Sequence, residues 1–574
     1  MLGNEALARG LYEAGCSLIS SYPGTPSTEV TEYATNYDEI YTEWAPNEKV
    51  AMETAFGASL AGKRSACCMK HVGLNVAADP LFTISYTGVN AGMVIVVADD
   101  PGMHSSQNEQ DSRHHAIASK VPMIEPSDPA EAREFAHIAY EISETYDTPV
   151  FIRTCTRIAH SQCEVPTVER TVPPMKDYVK DPAKYIMAPA NAIARHPVVE
   201  KRTEALRKYS ETSPLNRMEM AEDTSIGIIT SGTCYEYVKE VFGTTKCILK
   251  LGMVNPLPDA LIKDFASKVD RVVVIEELDP IIEEHCKVIG VNCDGKNIFP
   301  MTGEFFQSTI KKAFGLPLPE HADSISLPGR PPVMCAGCPH RGLFYVLAKH
   351  KFTVLGDIGC YTLGSAAPLN AVDAVLCMGA SLPAQHGFRK IRGEEYAEKI
   401  VSVIGDSTFM HSGMTGLANI AYNASDSTVI IADNSTTGMT GHQNNPTNGF
   451  NIKGEPATRI DLEALCRAMG IEHVRVVDPY DIKETEKAVL EETSFKGPSV
   501  IIARRPCALL KTTVSHPPLR VDADKCQKCK SCMKIGCPAI SMKDTGAVID
   551  QTQCVGCGVC SQMCKFDAIG KGEE

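Results

Sequence analysis

Ile400-Val401-Ser402-Val403-Ile404-Gly405-Asp406-Ser407 is the stretch from which the fold is read. An apolar run of this length, ending on a glycine and an acid, reads as a buried parallel strand with a functional C-terminal end. Twenty-eight positions after Asp406, a second run, Val429-Ile430-Ile431-Ala432, delivers Asp433-Asn434. Between them Met414, Leu417, Ile420 and Ala421 recur at helical spacing within Ser412 to Tyr422, so the unit is strand–helix–strand. Asp406 and Asn434 therefore stand at two strand ends, where open α/β sheets bind ligands. A carboxylate and an amide oxygen are hard ligands suited to Mg²⁺, which commonly bridges to phosphates.

Gly405-Asp406-Ser407 followed by Asn434 resembles the thiamine diphosphate signature Gly-Asp-Gly…Asn, with Ser407 where the motif has glycine. The resemblance implies that Asp406, Asn434 and the carbonyl of Thr436 hold Mg²⁺ on the diphosphate, with Gly405 and Ser407 in the binding loop.

The remaining bounds are compositional. A chain of 574 residues suggests about four domains. It is 44% hydrophobic and 22% charged without low-complexity tracts, a globular composition. A net charge of −14 with no basic stripe argues against a nucleic-acid partner. Met1-Leu2-Gly3-Asn4-Glu5 has neither the basic nor the apolar region of a signal peptide, and no apolar run approaches the ~20 residues that span a bilayer. A cytoplasmic protein without a membrane partner is expected.

Residues 1–165 alternate helix and strand signals, as in a parallel α/β sheet. They include the turn Ser21-Tyr22-Pro23-Gly24-Thr25-Pro26-Ser27 and the buried-strand run Met93 to Ala98. Asn47 is placed to cap a helix whose first turn carries Glu48, where the helix dipole favours a carboxylate. This segment resembles the pyrimidine-binding domain of thiamine diphosphate enzymes. Glu48 matches their activating glutamate, which hydrogen-bonds the aminopyrimidine ring.

Residues 166–222, with Pro166, Pro173, Pro174, Pro182, Pro189 and Pro197 among many charges, read as an extended connector. Residues 223–314 read as a small α/β domain resembling the transketolase C-terminal domain. A second connector carries Pro317, Pro319, Pro328, Pro331 and Pro332. Residues 330–510 form the diphosphate-binding domain, opening on Cys335-Ala336-Gly337-Cys338-Pro339-His340-Arg341. No second close cysteine pair follows in it, so Cys335 and Cys338 alone do not make a metal site. Gly356-Asp357-Ile358-Gly359-Cys360-Tyr361 is another strand-end loop.

Eight of the 23 cysteines fall in the tail, residues 515–574, and they repeat. Cys526, Cys529 and Cys532 recur 28 positions later as Cys554, Cys557 and Cys560, while Cys537 corresponds to Cys564. This is the two-cluster bacterial ferredoxin pattern, in which three close cysteines bind one cluster and the fourth crosses to the other. One [4Fe-4S] cluster then uses Cys526, Cys529, Cys532 and Cys564; the other uses Cys537, Cys554, Cys557 and Cys560. Four residues separate Cys532 from Cys537, and Lys565 stands where proline is usual; neither change removes a ligand.

The fold expected is multidomain α/β: two thiamine diphosphate-type parallel domains, a small transketolase C-terminal-like domain and a two-cluster ferredoxin-like tail. The whole resembles the 2-oxoacid:ferredoxin oxidoreductases, and within them the large (alpha) subunits of the indolepyruvate:ferredoxin oxidoreductases. The resemblance rests on Tyr22 to Ser27, Lys70-His71-Val72-Gly73-Leu74-Asn75, Cys335 to Arg341, Gly405 to Ser407, Asp433-Asn434 and the tail. It implies oxidative decarboxylation of aryl pyruvates with CoA, electrons passing to ferredoxin, and a smaller beta subunit as partner. Thr25 and Arg113 are candidates for contacting the substrate, a guanidinium being a natural partner for a carboxylate. His71, His114, His115 and His340 are candidates for proton transfer. Specificity for pyruvate or 2-oxoglutarate, a non-redox decarboxylase or carboligase, and an electron-transfer subunit with a dead cofactor site are the alternatives.

Overall fold

The computed structural model describes residues 1–318 and 327–571, in two compact units divided near residue 325. Pro319 of the second connector lies outside the described residues.

The first unit holds two sheets. The larger runs in the order Met253–Asn255, Met123–Ile124, Val150–Cys155, Met93–Asp99, Ser65–Lys70, Leu18–Ser21, Tyr41–Trp44. Every pairing is parallel except that of Met253–Asn255 with Met123–Ile124. Its central strands are buried along their whole length, as expected where helices cover both faces. The smaller sheet runs Cys293–Asp294, Val272–Ile275, Gly227–Ser231, Cys247–Leu251, Arg217–Glu219.

Two boundaries differ from the sequence reading. The segment 166–222 is not an extended connector throughout, because Pro189–Thr212 is a 24-residue helix. Pro189 occupies its first turn, where a fixed φ and a missing N–H cost nothing, and Pro197 sits inside it. The helix buries only the narrow stripe Val199, Arg202, Leu206, Ser210, half of it polar, so apolar periodicity is faint. Arg202 secures that stripe by donating to the carbonyls of Asp147 (3.0 Å) and Ser85 (2.8 Å). The 223–314 domain, in turn, is not self-contained. It lends Met253–Asn255 to the larger sheet and takes Arg217–Glu219 from the preceding segment.

The second unit is built on a six-stranded, all-parallel sheet. Its order is Ala374–Val375, Thr353–Gly356, Ile400–Gly405, Thr428–Asp433, Ser499–Arg504, His473–Val477. Chain direction across the sheet reverses between Thr353–Gly356 and Ile400–Gly405, which makes their C-terminal ends a topological switch point. From Gly405 the chain turns directly into helix: one turn at Asp406–Thr408, a π-turn at Phe409–Gly413, then Met414–Tyr422. The helix thus begins six residues earlier than periodicity indicated. The tail follows as two antiparallel pairs, Leu519–Val521 with Ile569–Lys571 and Ile540–Lys543 with Gly546–Ile549. Ile535 and Val559 of the tail share a core with Leu343, Phe344 and Val354, so tail and sheet domain are one packed body. Among the described residues no helix is long and apolar enough to cross a membrane.

Candidate functional site

Asp406 is 1% exposed at the first position after its strand. Its neighbour strand is in register, Gly405 opposite Ala432, which sets Asn434 beside it. The Asn434 side-chain amide lies 2.8 Å from the Thr436 carbonyl oxygen and 3.1 Å from Asp406 Oδ1. With its nitrogen on that side it donates to both. With its oxygen there, that oxygen faces two further acceptors, each about 3 Å away, the spacing of adjacent ligands around an octahedral cation with ~2.1 Å bonds. The donor set therefore fits a hard divalent ion. Asp406 Oδ2 is held by Asn445 Nδ2 (3.2 Å) and lies 3.0 Å from Thr447 Oγ1. Burial, and then the nearby Asp433, push the Asp406 carboxyl up to about 7. Asn445 and Thr447 were not legible beforehand; a polar loop offers no period that singles out which amide turns inward.

Gly405 and Ser407 each have a local reason. A Cβ at Gly405 would stand 2.6 Å from Tyr361 Cε1, so the residue is kept small by the ring of the adjacent strand-end loop. Ser407 fits where the motif has glycine because its hydroxyl accepts from Thr437 Oγ1 at 2.9 Å, tying this loop to the one carrying Thr436. Asp357, also buried, caps the helix Ser381–Arg392 through the Ser381 and Ala380 amides, and burial raises its carboxyl to about 6.

In the first unit, Asn47 caps the helix Glu48–Leu60 by accepting from Val50 N at 2.9 Å. Glu48 is 5% exposed and rests on Gly73, where a Cβ would lie 2.4 Å from Glu48 Oε1. Lys70, at the end of its strand, packs beside the Thr25 loop, 3.4 Å from a Cβ built on Gly24, and donates to the Ser105 carbonyl at 2.7 Å. Burial lowers its ammonium to about 8. Thr25 itself is half-buried. Glu48, Lys70, Gly73 and the Thr25 loop thus share one rim of the larger sheet. Lys70 opens the Lys70 to Asn75 motif, and the fold brings it to this rim.

Arg113 is not on that rim facing a substrate. It is 1% exposed. Its guanidinium donates to Asp111 through Nε (2.9 Å) and Nη2 (2.6 Å), to Glu276 (2.5 Å) and to the carbonyls of Glu277 and Asp279. Despite burial, which acts the other way, Arg113 and Arg153 hold the Asp111 carboxyl well below the usual range. Partners that bind Arg113 lie in loops far along the chain, so sequence could not show them. Arg113→Ala is expected to destabilise this unit by about 3–5 kcal/mol, the cost of stranding buried carboxylates. The check is urea unfolding; a raised KM for the 2-oxo acid with unchanged stability would restore the substrate role. The candidate histidines divide similarly: His71 faces the Asn108 carbonyl at 3.2 Å, His114 pairs with Asp279 at 2.8 Å, and burial lowers His340 to about 4.

The tail cysteines surround two cavities. One is walled by Cys526, Cys529, Cys532 and Cys564 together with tail residues such as Lys530 and Phe566. The other is walled by Cys537, Cys554, Cys557 and Cys560 and also by Ala336, Gly337, Cys338 and Arg341. Arg341 stitches the two loops together, donating to the carbonyls of Met334, Cys335, Ile535 and Gly536.

A third thiol set escaped the sequence reading. Cys338 is within electrostatic reach of Cys335 and Cys360, and Cys507 in turn of Cys335 and Cys360. This set adjoins the oxygen cluster. Cys507 N donates to the Asn434 carbonyl at 3.0 Å, and Cys360 Sγ lies 3.3 Å from a Cβ built on Gly438. The Cys335–Cys338 pair was visible; that strand ends far along the chain complete it was not.

Comparison with known proteins agrees with these parts. Residues 357–503 match the family of thiamine pyrophosphate enzyme C-terminal TPP binding domains. Residues 9–223 match the thiamine diphosphate-binding family of pyruvate flavodoxin/ferredoxin oxidoreductases, and 547–570 the 4Fe-4S binding domain family. A subunit IorA of indolepyruvate oxidoreductase from Archaeoglobus fulgidus is 38% identical over 99% of this chain and 97% of its own. Its counterpart from Pyrococcus abyssi is 40% identical over 100% and 97%. Among solved structures, a 2-oxoglutarate:ferredoxin oxidoreductase from Magnetococcus marinus aligns over 55% of this chain and 64% of that one, at 19% identity and a TM-score of 0.47. With full-length relatives at this identity, and with thiamine diphosphate and iron–sulfur domains in one polypeptide, the chain belongs to the indolepyruvate oxidoreductase subunit IorA family of the 2-oxoacid:ferredoxin oxidoreductases.

Proposed function

We propose that this catalytic subunit takes an aryl 2-oxo acid, such as indolepyruvate or phenylpyruvate, and CoA to the aryl-acetyl-CoA, CO₂ and a proton. Two electrons leave, one to each of two ferredoxins. The supporting observation is the arrangement inside the second unit. An oxygen cluster at adjacent strand ends is followed by a thiol set touching it, then by a thiol-lined cavity sharing that loop, then by a second cavity walled by the tail alone.

In this reading Asp406, Asn434 and Thr436 hold Mg²⁺, with Gly405 and Ser407 shaping the loop around the diphosphate. Glu48 exchanges a proton with the aminopyrimidine ring, and Thr25 lies at the substrate. Bound thiamine diphosphate supplies the carbanion stabilisation that 2-oxo acid decarboxylation requires, and iron–sulfur clusters accept electrons singly. Cys526, Cys529, Cys532 and Cys564 hold one [4Fe-4S] cluster; Cys537, Cys554, Cys557 and Cys560 hold the other. Cys335, Cys338, Cys360 and Cys507 are four further thiols of the right kind for a third. A smaller beta subunit completes the enzyme, and the site of action is the cytoplasm.

The test is anaerobic dye reduction by the chain with its small subunit, CoA and a panel of 2-oxo acids. Rapid reduction with indolepyruvate or phenylpyruvate but not pyruvate is expected. No reduction with any acid, at full iron and thiamine content, would favour a non-redox enzyme. Iron analysis on the same sample is expected to give about twelve irons per chain if all three thiol sets are loaded, and about eight if only the tail is.

A further inference from the structure

The tail repeat carries an asymmetry that packing explains on one side only. In the second half, Cys554-Val555-Gly556-Cys557-Gly558 has its glycines at φ 68° and 78°. In the first half, Cys526-Gln527-Lys528-Cys529-Lys530 has the same backbone, with Lys528 at φ 55° and Lys530 at φ 60°. The left-handed region suits glycine and costs another residue roughly 1–2 kcal/mol. Gly556 is also needed sterically, since a Cβ there would lie 2.4 Å from the Pro517 carbonyl. The first half faces solvent instead. Cys529, Lys528, Lys530 and Lys565 are exposed, and Phe566 is 45% exposed. Strained positions held by charged residues point to a use for the charge.

The charge balance is local. The chain carries −14 overall, yet residues 515–574 hold eight Lys and Arg against seven Asp and Glu, a net +1. Lys530 and Phe566 line the outer thiol cavity, and Lys565 is within electrostatic reach of Cys529. Lys528 Nζ donates to the carbonyl of Asp544 at 2.6 Å. Of the acids close by, Asp522 is engaged by Lys525 at 3.2 Å, while Asp524, Asp544 and Asp567 are exposed, Asp544 meeting Lys528 through its carbonyl.

We propose that Lys528, Lys530, Lys565 and Phe566, around the exposed Cys529, form the docking surface for an acidic, soluble one-electron carrier protein. The proposal rests on the reading that electrons leave through the tail. An acidic carrier is repelled by the chain at large and attracted here, so the patch fixes where it lands. Each docked carrier takes one electron, and two dockings clear the two electrons of one decarboxylation.

The double variant K528G/K565Q tests this, because neither side chain lines the thiol cavity, glycine suits the Lys528 backbone, Lys565 is exposed, and the fold is retained. Binding of a recombinant acidic two-cluster ferredoxin to the iron-loaded chain with its small subunit is measured by calorimetry at low and high salt. Wild type is expected to bind with a steep salt dependence. The variant is expected to bind about tenfold or more weakly at low salt, with a flattened dependence, unchanged iron content and an unchanged rate with methyl viologen, a small dication that needs no docking. Wild type without salt-sensitive binding, or a variant that binds equally well, overturns the proposal. Failure of wild type to reduce viologen with any 2-oxo acid would instead overturn the function above, while the binding comparison still decides the docking surface.

Discussion

Glu48→Ala is expected to lower kcat with every 2-oxo acid by about 10²- to 10⁴-fold, the usual worth of a positioned proton-transfer group. Iron content should change little, because no cluster cysteine is touched. The position is built for a carboxylate. Glu48 opens a helix capped by Asn47, where the dipole favours negative charge, and it is 5% exposed. Its side chain is held from below by Gly73, whose missing Cβ leaves the room it occupies. Glu48→Gln separates proton transfer from packing: it keeps the shape and is expected to lose nearly as much as Ala. Steady-state turnover with iron and thiamine analysis on the same samples decides the matter; near-wild-type turnover in either variant would remove Glu48 from the chemistry.

Asp406→Ala should lose Mg²⁺ and thiamine diphosphate together, with affinities weakened by about 100-fold or more, since even an outer partner of a metal ligand is worth 10- to 100-fold. The geometry makes the pair inseparable. The Asn434 amide stands 3.1 Å from Asp406 Oδ1 and 2.8 Å from the Thr436 carbonyl, so the carboxylate is part of one shared site. A pH dependence follows. Burial and Asp433 raise the Asp406 carboxyl from 3.8 to about 7 in the metal-free chain, and binding requires the deprotonated form. Apparent Mg²⁺ affinity is therefore expected to fall as pH drops below about 7, approaching tenfold per unit. The folded chain keeps this proton where the unfolded chain has lost it. Stability of the metal-free protein thus declines as pH rises through the window from about 4 to 7, and Mg²⁺ restores it. Equilibrium dialysis and melting curves at pH 6 and 8, with and without Mg²⁺, test both statements. Retained cofactor in Asp406→Ala would place the diphosphate elsewhere.

What could be read in advance was whatever a few neighbouring residues settle among themselves. The strand ending at Gly405 and the one ending at Asp433 were legible because an apolar run bounded by polar residues admits few other structures. The Asn47 cap was legible because an Asn before a helical run satisfies backbone donors three residues on. The helix Pro189–Thr212 was not, since its buried stripe includes Arg202 and Ser210 and so leaves no apolar signature.

Sequence alone determined the two strand ends that carry Asp406 and Asn434, the glutamate at a helix start and the twofold repeat of eight cysteines, because spacing along the chain encodes each of them. Only the tertiary structure decided the rest. It committed Arg113 to Asp111 and Glu276, set Gly73 beneath Glu48, joined Cys335 and Cys338 to Cys360 and Cys507, and turned one half of the cysteine repeat inward and the other to solvent. These depend on which strands lie side by side and which surfaces they cover, and packing sets that order between residues that share no local pattern.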